Sequence, residues 1–199
     1  MLYEPVFSKP QVKGRTKLTH AVVLKTDRLT LKPPVLQDAG RIQTLAGDLR
    51  ISKVTLNIPH PYPDGAAEKF IEEIENGMRN MTRYTFALYQ KTDSILVGMI
   101  GLGLHKEHER AELGYWIGVD YWGKGFATEA AKEVIRFGFE DLNLNKIYAS
   151  YFAFNPASGR VQEKAGMKQE GMFREHILKD GRYIDMVYTS ILRSECSTL

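Results

Sequence analysis

Apolar residues gather into short runs over 84–90, 95–104 and 110–119, rich in aromatic and aliphatic side chains and separated by polar connections such as Lys91-Thr92-Asp93-Ser94. Each run predicts a strand. Further strands are expected near 27–33 and 146–154, and a closing hairpin turns at Asp180-Gly181, a favoured two-residue turn. Elsewhere helical spacing takes over. One helix is expected near 36–48 and another near 64–79, where Asp64 is placed to cap and Phe70, Ile71, Ile74 and Met78 form an apolar stripe. Ala127, Ala130, Ala131, Val134, Ile135 and Phe139 recur at the same period with no proline from 128 to 141, giving a helix of about four turns. Successive antiparallel strands followed by a strand-helix-strand crossover predict an α/β (mixed α+β) fold. Its sheet is mixed and mostly antiparallel, with about seven strands and helices on both faces.

Between the 110–119 strand and that four-turn helix runs Tyr121-Trp122-Gly123-Lys124-Gly125-Phe126-Ala127-Thr128, with two glycines one residue apart. Unpaired N–H groups and the positive end of the helix dipole meet there, and glycines allow close approach to the backbone. An anionic ligand, a pyrophosphate in particular, suits the place. The Walker-type loop is absent because Lys124 precedes Gly125, and so is the G-x-G-x-x-G fingerprint. A kinase and a dinucleotide dehydrogenase are thereby disfavoured.

The loop resembles the acetyl-CoA-binding motif of the GNAT N-acetyltransferase superfamily, Q/R-x-x-G-x-G/A. Gly125 and Ala127 match that frame, and Trp122 stands where Gln or Arg is usual. The W-G-K-G-F-A-T-E-A form is similar to the RimJ/RimL-type branch, the ribosomal-protein Nα-acetyltransferases. A second segment, Asn155-Pro156-Ala157-Ser158 through Glu163-Lys164-Ala165-Gly166-Met167, resembles the superfamily's later strand-helix-turn. The 24–32 and 171–192 segments resemble its first strand and closing hairpin. The resemblance covers roughly 24–193, leaving an arm at 1–23 and a polar tail at 194–199.

The resemblance implies an acetyl-CoA site formed by Ile117, Gly118, Val119, Trp122, Gly123, Lys124, Gly125, Phe126, Ala127 and Thr128, joined by Asn155, Ser158 and Lys164. Helix capping alone also accounts for Asn155, Pro156 and Gly166. Acetyl transfer to an amine needs a neutral amine, a stabilised oxyanion and a proton for the thiolate. Glu112, acidic among apolar neighbours, is the candidate base, with pairing to Arg110 as the plain alternative; Glu170 and Glu175 are lesser candidates. The oxyanion donor maps to the backbone at Ile117. The superfamily's acidic Tyr aligns at Gln162, which supplies no proton, so Ser158 is the nearest hydroxyl. An acetyltransferase acting on a protein N-terminus or a small-molecule amine is expected, with an acyl-CoA-binding module lacking turnover as the alternative. The 59–63 loop and 171–185 hairpin, with Tyr62, Phe173, His176 and Tyr183, are the expected acceptor walls.

Composition fits one catalytic domain: 199 residues, 43% hydrophobic and 11% aromatic. A net charge of +3 without basic clustering gives no sign of nucleic-acid binding. Lys9, Lys13, Arg15 and Lys17 lie in an arm without periodicity, read as a solvated extension. No secretory signal or apolar run of membrane-spanning length is present, so no membrane partner and a cytoplasmic location are expected. A lone Cys196 disfavours thiol chemistry and zinc, and His105-Lys106-Glu107-His108 reads as a polar hairpin connection rather than a metal site. Monomer and homodimer both remain open.

Overall fold

The computed structural model describes residues 22–198. The arm expected at 1–23 therefore lies outside the described residues except for Val22 and Val23. The strands are β1 (Leu24–Lys25), β2 (Leu29–Lys32), β3 (Arg83–Gln90), β4 (Leu96–His105), β5 (Arg110–Ile117), β6 (Lys146–Phe152), β7 (Lys168–Lys179) and β8 (Arg182–Leu192). The helices are α1 (Ala39–Ala46), α2 (Leu49–Val54), α3 (Ala66–Arg79), α4 (Phe126–Glu140) and α5 (Pro156–Lys164). One sheet runs β1-β2-β3-β4-β5-β6-β8-β7, antiparallel throughout except for β5 against β6.

Eight strands replace about seven because Leu24–Lys25, just before the 27–33 run, folds back on it as a strand of its own. Thr26 N–H bonds the Leu29 carbonyl at 3.0 Å, and Leu24 and Lys25 pair with Leu31 and Thr30. The 36–48 helix is present as a 3-10 turn (Leu36–Asp38) and α1, and a further short helix follows it. Asp48 turns extended (ψ 125°), its carboxylate accepts from the Arg50 N–H at 2.8 Å, and the separate helix α2 starts there. Asp64 does not cap α3; left-handed Gly65 (φ 74°) takes that position, and Asp64 accepts from the Gln43 amide instead. The Asp180-Gly181 turn has both residues at positive φ, 50° and 74°, the signature of a type I′ hairpin.

Apolar side chains pack on both faces of the sheet. On one, Ile42 and Leu45 of α1 and Ile71 and Ile74 of α3 meet Ala87 and Met99. On the other, Ala130, Ala131, Val134 and Ile135 of α4 cover Phe86, Ile100, Leu102 and Leu113. Phe137 anchors that side through edge-on contacts with Tyr84 and Phe86, centroids 5.4 and 5.8 Å away. Gly138 lets α4 approach β6, since a Cβ there would fall 2.7 Å from Ile147 Cδ1.

One irregularity positions everything that follows. β5 and β6 pair only through Arg110, Ala111 and Glu112 against Lys146, Ile147 and Tyr148, and then part. The start of α5 comes alongside that opening. No helix among the described residues is long and apolar enough to cross a membrane.

Candidate active site

Beyond β5 the chain makes a short 3-10 turn, Val119–Tyr121, and enters α4 through two left-handed glycines, Gly123 at φ 73° and Gly125 at φ 80°. Such φ values strain any residue with a Cβ. The helix's backbone ladder begins with Glu129 N–H to the Gly125 carbonyl at 3.1 Å, so the N–H groups of Phe126, Ala127 and Thr128 precede the ladder and remain for a ligand. Nothing stands within 4 Å of where a Cβ on Gly123 would sit. The cradle is open.

A clamp from the distant β1–β2 turn braces this loop. Glu129 accepts from the Arg28 N–H at 2.8 Å, from Arg28 Nε at 2.7 Å and from Thr26 Oγ1 at 2.5 Å. Arg28 Nη1 also donates to the Lys124 carbonyl at 2.9 Å. Burial pushes the Glu129 carboxyl up, but the Thr26 and Arg28 hydrogen bonds and the Arg28 charge outweigh it, and the net shift is downward. No local sequence signal links Arg28 to Glu129, because the contact spans 101 positions.

A cavity of about 360 Å³ beside the loop is lined by Ile117, Trp122, Gly123, Gly125, Phe126, Ala127, Thr128, Asn155, Ser158 and Lys164. Gly118, Val119 and Lys124 do not line it. The Gly118 N–H is committed to the Val97 carbonyl at 2.8 Å, and the Val119 carbonyl accepts from the Trp122 N–H at 3.1 Å. The Lys124 ammonium lies over the Tyr121 ring, 5.0 Å from its centroid. Trp122, in the place of the usual Gln or Arg, folds back so that its indole Nε1 donates to the Ile117 carbonyl at 2.6 Å. Asn155 caps α5, accepting from the Ser158 N–H at 3.4 Å, and it also lines the cavity.

A second cavity, about 550 Å³, opens on the other side of Tyr115 and Trp116. Val54, Thr55, Tyr115, Trp116 and Ser158 border both cavities, so the two meet there. Of the residues expected as acceptor walls, Pro59 and Tyr62 line the second cavity, and Phe173, His176 and Tyr183 do not. Phe173 and His176 pack on Tyr188 instead, and Tyr183 points away with 67% of its surface exposed. Two register shifts, at Gln169/Gly171 and Phe173/Ile177, interrupt the pairing of β7 with β8.

At the junction the Tyr115 hydroxyl is 2.8 Å from Ser158 Oγ and donates to the Ser158 carbonyl at 3.1 Å. Gln162, only 1% exposed, gives its amide N–H to Ser158 Oγ at 3.4 Å and accepts from Thr189 Oγ1 at 2.8 Å. Burial pushes the Tyr115 phenol up, against the smaller opposing effect of its Ser158 and Gln162 hydrogen bonds, which keeps it a neutral donor. Alternation along β5 places Tyr115 on the face opposite Glu112. The parting of β5 from β6 lets its hydroxyl reach α5.

Glu112 lines the second cavity. Arg110 is not its partner: that guanidinium sits over the Tyr148 ring at 5.4 Å. Burial and then the Glu112 charge push the Tyr148 and Tyr188 hydroxyls up. The lesser candidates lie outside both cavities. Glu170 is paired with Lys146 at 2.5 Å and accepts from Ser190, and Glu175 sits in a β7 irregularity with its N–H on Asp185. His105 Nε2 is 3.1 Å from the Tyr148 hydroxyl.

The fold is shared with known proteins. The acetyltransferase (GNAT) domain family matches residues 28–168. The chain is 33% identical over 174 residues to the uncharacterized N-acetyltransferase p20 of Bacillus licheniformis, covering 86% of this chain and 97% of that protein. It is 26% identical over 176 residues to the ribosomal protein uS5-alanine N-acetyltransferase of Escherichia coli (strain K12), covering 85% and 90%. The crystal structure of a GNAT-family acetyltransferase from Bacillus anthracis superposes with a TM-score of 0.79 at 25% identity, over 87% of this chain and 100% of that one. The chain belongs to the GNAT family of acetyl-CoA-dependent N-acetyltransferases.

Proposed function

We propose that this enzyme transfers the acetyl group of acetyl-CoA to the free amine of a protein or peptide N-terminus, by direct attack on the thioester. The observation that carries the reading is the meeting of two cavities at Tyr115 and Ser158, one ending on the glycine cradle and the other holding Glu112. The N–H groups at the start of α4 bind the pyrophosphate of the co-substrate, with Lys164 bordering the same cavity. The thioester then lies where the cavities join.

Glu112 removes the amine's proton, through water, because the junction side chains stand further along β5. Tyr115 and Ser158 receive the departing thiolate as a hydrogen-bonded hydroxyl pair, the Tyr115 proton turning from the Ser158 carbonyl to the sulfur. Gln162, seemingly a missing acid, instead supports Ser158 from behind. That arrangement favours turnover over a binding module without catalysis.

Similarity to the uS5-alanine N-acetyltransferase supports a protein N-terminus as acceptor, and the breadth of the second cavity accommodates a peptide. The test is release of CoA thiol from acetyl-CoA across N-terminal peptides, polyamines, aminoglycosides and amino acids. Turnover confined to peptides supports the reading; turnover confined to a small amine replaces the acceptor. Retained acetyl-CoA binding with silence on every amine overturns the enzymatic assignment.

A further inference from the structure

Across the floor of the second cavity, Arg83 of β3, Gly103 of β4 and Glu112 of β5 occupy one row of cross-strand neighbours. Side chains of directly paired residues project to the same face, so a cation and an anion flank a glycine. Two strand spacings put their Cα atoms about 10 Å apart. The space between them is vacant: no atom lies within 4 Å of where a Cβ on Gly103 would be, nor on Gly114 diagonally beside it. The remaining walls are mostly apolar, including Tyr62, Phe70 and Met99.

The Arg83 guanidinium has no hydrogen-bond or ion-pair partner among the described residues. Arg110, Arg160, Arg174 and Arg182 share that condition, but they are exposed, whereas Arg83 is half-buried in the cavity wall. Its stem is seated deliberately. Arg83 Cγ and Cδ press against Gly77 in the interior of α3, where a Cβ would fall 2.2 and 2.7 Å from them. A glycine inside a helix costs about 1 kcal/mol relative to alanine, and here it makes the room the arginine stem occupies. A partly desolvated guanidinium without a partner is costly, and an arriving carboxylate relieves that cost through charge-assisted, two-pronged hydrogen bonds.

We infer that Arg83 selects the acceptor, and that the acceptor is an acidic amine: its amino group lies on the Glu112 side of the cavity and a carboxylate pairs with Arg83. For a peptide this means Asp or Glu within the first few residues of the N-terminus. Polycationic amines are disfavoured by the same charge. The inference rests on the amine-acetylating reading above, and deepens it by fixing the acceptor's charge.

The experiment compares peptides Ala-Asp-Gly-amide and Ala-Glu-Gly-amide with their Asn, Gln and Lys counterparts. Binding is measured by isothermal titration in the presence of CoA, and turnover by thiol release, for wild type, Arg83→Gln and Arg83→Glu. Arg83→Gln keeps the stem beside Gly77, and unchanged CoA affinity establishes that each variant is folded. Wild type is expected to bind the acidic peptides about tenfold tighter than their amides, Arg83→Gln to erase the difference, and Arg83→Glu to favour the Lys peptide. The preference should lie in KM, with kcat nearly unchanged.

Equal affinity for acid and amide in wild type overturns the inference, and so does a preference that survives Arg83→Gln. Turnover without acid preference leaves the acetyltransferase reading intact and removes Arg83 from selection. Acid-selective binding with no acetylation keeps the Arg83 assignment and removes the reaction.

Discussion

Tyr115 and Ser158, one on a strand and the other in the first turn of a helix 43 positions later, share a 2.8 Å hydrogen bond where the two cavities join. The pair puts a phenol at the cavity junction although position 162 carries glutamine. Tyr115→Phe is therefore expected to lower kcat about 10- to 100-fold while acetyl-CoA affinity stays within about threefold. Ser158→Ala should weaken turnover in the same direction, and the double variant should lose no more than the worse single one. Additive losses would show that the two act separately.

Because burial raises the Tyr115 pKa above its ordinary value, its working protonated form persists as pH rises. The kcat profile of the wild type should show no alkaline decline from this group below about pH 10. A decline near pH 8 to 9 that vanishes in Tyr115→Phe would contradict the assigned environment.

Glu112→Gln keeps the size of the side chain and removes its basicity. Turnover should fall about 10²- to 10⁴-fold at neutral pH, with the acetyl-CoA Kd unchanged, and should partly recover at high pH as more of the amine is free of its proton. Titration calorimetry and thiol release read the two quantities separately; unchanged turnover removes Glu112 from the mechanism.

The clamp around Glu129 predicts a pH-dependent stability. Its folded-state pKa is depressed, so its stabilisation is present above the unfolded carboxylate pKa of about 4.3 and lost as pH falls through the folded value. Glu129→Gln should cost about 1–2 kcal/mol at pH 7, discounted for the half-exposed Arg28. Urea midpoints of wild type and variant should converge toward pH 3. A gap that persists or widens in acid speaks against the clamp.

Gly125→Val forces a branched residue to φ 80° and brings a Cβ within 3.3 Å of Arg28 Nη2. Strain of about 1–2 kcal/mol and at least about a tenfold rise in the acetyl-CoA Kd are expected. Normal affinity would show that the loop does not bind the co-substrate.

Local chemistry made much of this legible before the fold was seen. Asp180-Gly181 announced its hairpin because only certain residues tolerate two positive φ values in succession, and Asn155-Pro156 with Gly166 marked both ends of α5. The helix α2 went unseen because six residues carry too little periodicity, and Gly47-Asp48 reads as an ordinary helix end. Asp64 looked like a cap because a cap's sequence signature cannot reveal that Gly65 takes the left-handed position itself. Tyr115, Arg83 and the Arg28–Glu129 clamp were invisible for another reason. Their roles arise from strands that part, a glycine two elements away and a contact across most of the chain, none of which a local window contains.

The parting of β5 from β6 after three paired residues leaves the inner edge of β5 from 113 onward with hydrogen-bonding groups that no strand satisfies. Such an edge is an adhesive seam. An extended molecule carrying its own amides would complete the sheet there as an added strand does, and a co-substrate lying along it would be a missing piece of architecture as well as a reactant. Occupancy should then be visible as slowed amide hydrogen exchange along β5 and a higher melting temperature, even with CoA that has no acetyl group to give.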